Sequence, residues 1–185
     1  MGAQGRRERL KKILLAESVE RGDFVLASGR KSSYYLDCRR TTLHAEGAWL
    51  TGHLVLDALE RRGWVPDAVG GMTLGADPIA AATAVLSFER DRPVPAFLVR
   101  KEAKAHGTGR AIERCPPEGS KVVLVEDVVT SGGSVLKAAD ACLEAGLSIL
   151  GIVVIVDREE GGAEALGARG LELEALFTAT ELLEG

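Results

Sequence analysis

The stretch 121–138, KVVLVEDVVTSGGSVLKA, narrows the possible folds more than any other part of the chain. Its VVLVED segment is a β-branched, apolar run ending in adjacent carboxylates, Glu126 and Asp127, the pattern of a buried parallel strand that presents charge at its C-terminal edge. Thr130, Ser131, Gly132, Gly133 and Ser134 follow as a loop of small residues, and Val135, Leu136, Ala139, Cys142 and Leu143 then recur at helical spacing. The segment reads as strand, tight turn and helix.

Consecutive amide N–H groups at the start of a helix form a concave anion site, favoured further by the helix dipole. A phosphate suits such a turn, but two carboxylates beside it repel it unless they face a neutral polyol or a metal ion. A ribose 5-phosphate satisfies both halves, with its phosphate in the loop 130–134 and its 2- and 3-hydroxyls on Glu126 and Asp127. The competing reading is an ordinary α/β turn, where Ser and Thr are favoured as helix caps in any case. Other phosphate loops fit less well, because the chain has no GxxxxGK[ST] and no GxGxxG follows the strand.

An apolar strand, an acidic pair and TSGGS together resemble the phosphoribosyl pyrophosphate-binding motif of the type I phosphoribosyltransferases. The resemblance implies that Glu126, Asp127, Val128, Val129, Thr130, Ser131, Gly132, Gly133 and Ser134 hold phosphoribosyl pyrophosphate, with Asp127 also catalytic. A second string, SGRKSSYYLD at 28–37, is similar to the N-terminal signature of one branch, the orotate phosphoribosyltransferases, where it forms part of a small hood over the base. Tyr34 and Tyr35 are then expected beside a flat pyrimidine, with Thr130 also reaching orotate. Strand propensity alone also explains two tyrosines, whose side chains point to opposite faces. Many members of that branch carry Lys just before SGR. Here the position is Ala27, so that contact is absent or supplied elsewhere.

The rest of the chain follows the same order. Residues 6–19 read as an amphipathic helix and 45–62 as a second, closed by Gly63, while His44 and His53 lack ligand-spaced partners. A short strand at 67–71 enters a second glycine turn at 70–75, whose counterpart in the resembling family lies under the pyrophosphate. After a strand at 95–99 comes RKEAKAHGTGRAIE, with Arg100, Lys101, Lys104 and His106 in a segment lacking apolar periodicity. It resembles the catalytic loop of the orotate branch, which reaches into the neighbouring subunit's site. That implies a homodimer with shared active sites, in which Arg100, Lys101, Lys104 and His106 bind the diphosphate and Lys101, Lys104 and His106 are catalytic. Donors that close over a departing diphosphate stabilise the transition state more than the ground state. Another buried strand at 147–156 ends in Asp157 and Arg158, and the resemblance assigns Arg158 to the orotate carboxylate. An ion pair of Arg158 with Glu159 or Glu160 is the alternative. A short edge strand at 171–177 and a terminal turn or helix at 180–183 complete the chain.

At 185 residues without a composition break, the chain reads as one domain over 1–185. Its 23 Lys and Arg against 27 Asp and Glu give net −4, which excludes bulk attraction to nucleic acid or an anionic membrane. Cys38, Cys115 and Cys142 have neither disulfide-framework nor zinc spacing, as expected of reduced thiols in a cytoplasmic protein, and no apolar run reaches the roughly 18 to 20 residues of a membrane span. Strands alternating with helices predict an α/β fold with a mainly parallel sheet, and the resemblance adds a small hood from about 1–40 and 165–185. The expected reaction transfers the phosphoribosyl group to orotate. Mg²⁺ is expected on the diphosphate and ribose oxygens, with Glu126 and Asp127 as outer-shell partners and no direct protein ligand. Two alternatives share the central motif: a purine phosphoribosyltransferase and a non-catalytic regulator that senses phosphoribosyl pyrophosphate.

Overall fold

The computed structural model describes residues 1–25, 31–101 and 111–184. A helix α1 (Ala3–Ile13) continues through a π-helical turn (Leu14–Ser18) into an antiparallel hairpin of β1 (Val19–Val25) and β2 (Lys31–Leu36). After the short α2 (Arg39–Thr42) come α3 (Ala45–Arg62), β3 (Ala68–Met72), α4 (Ala76–Glu89), β4 (Ala96–Val99), β5 (Ile112–Glu113) and β6 (Lys121–Val129). The chain ends with α5 (Gly133–Glu144), β7 (Ser148–Asp157), α6 (Gly162–Gly167), β8 (Leu173–Thr178) and α7 (Ala179–Glu184). Among the described residues the main sheet has the order β5-β4-β3-β6-β7-β8, parallel throughout except for the β4–β5 pair.

Strands β6 and β7 are buried on both faces, which explains their near-continuous apolar runs. The alternation of a strand sends Val123, Val125, Val153 and Ile155 into one core with α1, α3 and α4. Val122, Leu124, Ile152 and Val154 enter the other, with α5 and α6. His44 caps α3 by accepting the Gly47 amide on Nδ1 at 3.3 Å, and Gly63 ends the helix in the left-handed region at φ 66°.

The structure corrects the sequence reading in two places. The helix expected over 6–19 stops at Ser18, and Val19 begins a strand instead. Ser18 is the pivot: its buried hydroxyl pairs with Thr41 at 2.7 Å, and its carbonyl accepts the Asp37 amide at 3.0 Å, which draws the chain out of the helix and alongside β2. Residues 111–113, at the end of the charged segment, also carry structure that its pattern does not announce. Arg100 donates its amide to the Ala111 carbonyl at 2.8 Å, and Ile112 and Glu113 pair with Val99 and Leu98 as β5.

The C-terminal helix returns to the start of the chain. Arg7 grips both oxygens of Glu181 at 2.6 Å and covers the Phe177 ring, so α7 and β8 pack beside α1. The hairpin joins the same end through Arg21, which donates to the Leu183 carbonyl at 3.3 Å.

Candidate active site

Because β3, β6 and β7 are parallel, their C-terminal ends open on one rim, the usual ligand crevice of such sheets. From β6 the chain turns through 130–132 into α5. Gly132 sits at φ 80°, a conformation costly for residues with a Cβ, and no side chain caps the helix. The first-turn amides of α5 thus lack side-chain partners at an N-terminus favourable to an anion. Thr130, Ser131, Gly133 and Ser134 are exposed there. Val128 and Val129 contribute otherwise: Val129 is buried in the core and Val128 half-buried, and the Val129 carbonyl accepts the Arg158 amide at 2.9 Å.

The two carboxylates have unequal surroundings. Glu126 is 5 % exposed, and its Oε2 has no hydrogen-bond partner among the described residues, while Oε1 accepts the Asp127 amide at 3.2 Å. Burial first, and then the adjacent Asp127, push the Glu126 carboxyl up to about 8. Asp127 is more open and accepts the Val128 amide at 2.9 Å. Glu126, one of the two acids expected to carry charge, therefore keeps its proton at neutral pH.

The second glycine turn, which contains a cis Thr73–Leu74 peptide, lies directly against this pair. A Cβ on Gly75 would meet Glu126 Oε1 and Asp127 Oδ1, so only glycine leaves both carboxylates in place. Around them a cavity of about 310 Å³ is lined by Tyr35, Arg39, Gly75, Lys101 and Ser134 among others. A more apolar cavity of about 290 Å³, bordered by Leu56, Trp64, Val65 and Arg90, opens at the other end of the strands, away from the acidic pair and both glycine turns. The rim cavity holds the chemistry.

Arg158 reaches the rim from the end of β7, with its side chain 7 % exposed. Its guanidinium lies over the Tyr34 ring at 4.6 Å from the centroid. Nε is 3.0 Å from Glu160 Oε1, close enough for an ion pair, but its N–H is not aligned for a hydrogen bond. Both the predicted placement at the rim and the alternative ion pair are thus present. Tyr35, on the opposite face of β2, is 41 % exposed and packs on Phe24 at 5.8 Å between ring centroids. Of the two tyrosines, only Tyr34 touches Arg158.

Of the loop cations, Lys101 lines the rim cavity, whereas Arg100 is engaged with Glu113 through Nε at 2.6 Å and Nη2 at 2.5 Å. Ala27, Lys104 and His106 lie outside the described residues. One member of the site lies just past the SGRKSSYYLD string: Arg39, held by that string's Asp37 through Nε–Oδ1 at 2.8 Å and Nη2–Oδ2 at 3.0 Å. Their alternate spacing is the one sequence signal that could have paired them.

A family profile described as Phosphoribosyl transferase domain matches residues 54–170. The orotate phosphoribosyltransferase of Rhodopirellula baltica is 49 % identical over 170 residues, covering 90 % of this chain and 88 % of that one. Among solved structures, orotate phosphoribosyltransferase of Mycobacterium tuberculosis matches with TM-score 0.85 and 40 % identity over 96 % of this chain and 99 % of that one. The same enzyme in complex with 5-phospho-alpha-D-ribosyl 1-diphosphate matches with TM-score 0.81 and 37 % identity over 96 % and 98 %. Taken with a rim that joins an acidic pair, two glycine turns and a buried arginine, these likenesses place the chain in the phosphoribosyltransferase family, in its orotate phosphoribosyltransferase branch.

Proposed function

We propose the following division of labour for the family's reaction, in which the 5-phosphoribosyl group passes from phosphoribosyl pyrophosphate to orotate, giving orotidine 5'-phosphate and pyrophosphate in pyrimidine biosynthesis. The observation that carries it is the contact of Gly75 with Glu126 and Asp127, which sets the diphosphate turn beside the ribose-binding carboxylates. The 5-phosphate takes the uncapped amides of 130–134, and the ribose 2- and 3-hydroxyls take Glu126 and Asp127. Protonated Glu126 donates one hydrogen bond and Asp127 accepts another. Arg158 holds the orotate carboxylate, and Tyr34 supports its guanidinium from below. At C1 of the ribose the bond to the diphosphate oxygen breaks and the bond to the orotate ring nitrogen forms. Lys101, with Lys104 and His106, neutralises the departing diphosphate, and either Lys104 or His106 donates a proton.

The residues fit Mg²⁺ as a substrate-borne ion. Asp127, the more open carboxylate of the pair, faces the cavity in which such an ion would sit. Asp127, with Glu126 beside it, would hold the ion through water, with most ligands from the substrate. The ion would supply charge neutralisation of the diphosphate. We further place the chain in the cytoplasm as a homodimer whose loops cross between sites. Among the described residues, three free cysteines and no helix long and apolar enough to cross a membrane accord with that location. Net charge −4 accords with small-molecule partners rather than nucleic acid.

A substrate panel tests the reading. Pyrophosphate release is expected with orotate and not with adenine, hypoxanthine or guanine, and release with a purine instead would overturn it. Within the orotate reaction, Lys101→Ala and Lys104→Ala should lower mainly kcat, and Arg158→Ala should raise mainly the orotate KM, each by roughly tenfold or more.

A further inference from the structure

We propose that Arg39, clamped by Asp37, is a fixed binding residue for the diphosphate of phosphoribosyl pyrophosphate. This rests on the functional reading above and adds a cation that lies outside both the glycine turns and the charged loop.

The argument begins with charge. A phosphate monoester carries about −1.5 to −2 near neutral pH, a diphosphate adds to it, and Asp127 contributes another negative group to the same cavity. The turn Thr73, Leu74, Gly75 lying against the acidic pair contains no cation. Among the described residues lining the cavity, Lys101 and Arg39 are the cations. Lys101 belongs to the charged segment that begins at 100, whereas Arg39 opens α2, whose Thr41 and Thr42 are buried.

Geometry fixes the guanidinium. Asp37 accepts from Nε at 2.8 Å, from Nη2 at 3.0 Å and from the Arg39 amide at 3.2 Å, so one carboxylate sets both backbone and side chain. That leaves Nη1 with no hydrogen-bond partner among the described residues, on a side chain 48 % exposed toward solvent. The base of α2 is immobilised below it: Cys38 is 0 % exposed, and Thr41 is buried in its hydroxyl contact with Ser18. Arg39 also feels Asp127 electrostatically, as expected of a group facing the same ligand space. Finally, Arg39, Asp37 and Leu74 line an adjoining surface hollow of about 680 Å³ as well, which sets the guanidinium beside Leu74 of the diphosphate turn, while Arg158 lines neither space. A planar donor held by a neighbouring carboxylate suits a phosphoryl oxygen better than a freely rotating ammonium.

Arg39→Gln, Arg39→Lys and Asp37→Asn, assayed in the full chain, test this. For Arg39→Gln the KM for phosphoribosyl pyrophosphate and the inhibition constant of inorganic pyrophosphate should both rise roughly ten- to a hundredfold, with the orotate KM within about twofold of wild type. Arg39→Lys should recover part of both. Asp37→Asn, which loosens the clamp while keeping the cation, should weaken pyrophosphate less than Arg39→Gln does. Equal rises in the KM of both substrates would assign Arg39 to the folding of α2 and overturn the proposal, as would unchanged pyrophosphate inhibition in a folded Arg39→Gln protein. Absence of orotate turnover in the wild-type chain is a different failure, striking the functional reading itself.

Discussion

Burial and the adjacent Asp127 hold the Glu126 proton up to about 8, well above an ordinary carboxyl near 4.5. The folded state therefore keeps a proton that the unfolded chain releases as pH passes about 4.3. By linkage, the contribution of this group to stability is fully present below that pH and declines as pH rises toward 8. Glu126→Gln removes the titration, so urea denaturation at pH 5 and pH 8.5 should show a smaller loss of stability for the variant, by on the order of a few kcal/mol. Parallel losses in the two proteins would show that Glu126 is ionised throughout. Gly75→Ala acts on the same pair from the other side. Its backbone is ordinary at φ −60°, so the effect comes from space alone, and the KM for phosphoribosyl pyrophosphate should rise roughly tenfold or more. At this scale the sequence was readable where chemistry follows from neighbours in the chain. Glu126, Asp127 and the TSGGS turn announce themselves as the end of an apolar run. The proton on Glu126 does not, because it depends on burial depth, and neither does Arg39, because its role depends on where a four-residue helix sits.

The hood hairpin joins the rest at a few places. Leu36 at the end of β2 packs against the core, Tyr34 stacks on Arg158, Arg40 pairs with Glu20 at 2.6 Å, and Arg21 reaches the Leu183 carbonyl. Exposed ion pairs contribute little, so the Leu36 packing and the half-buried cation–π contact should dominate the hood's docking, the latter at the rim. Tyr34→Ala is expected to speed amide hydrogen exchange across 19–25 and 31–36 while leaving β6 and β7 protected; unchanged exchange in the hairpin would place its anchorage elsewhere. The same contrast explains which elements could be read in advance. Strands β6 and β7 carry their own signal as continuous β-branched runs buried on two faces. Strand β1, VERGDFV, is mostly exposed and exists by pairing with β2, and β5 is two residues held by β4. Their patterns contain no apolar alternation to detect, and partners distant in sequence decide them.

At the scale of the whole molecule, α4 and the turn before it carry an apolar face that the described chain leaves in solvent. Leu74 is 65 % exposed, Val85 63 % and Phe88 75 %, and Pro78 and Ala81 lie between them at three- and four-residue spacing. Such a stripe, starting at the diphosphate turn, is the kind of surface that a second copy covers. If the two copies also exchange their charged loops, a chain lacking the loop lysine and a chain lacking the acidic group should repair each other. Lys104→Ala and Asp127→Asn would each be nearly inactive alone. After mixing and reassortment, half of the dimers pair one chain of each kind, and one of the two sites in such a dimer is intact. Activity should therefore return to roughly a quarter of wild type. With Val85→Glu and Phe88→Glu added to both chains, sedimentation should show monomers and the recovery should vanish. Inactive mixtures of dimeric chains would mean that each site uses its own loop, and the stripe would then serve association alone.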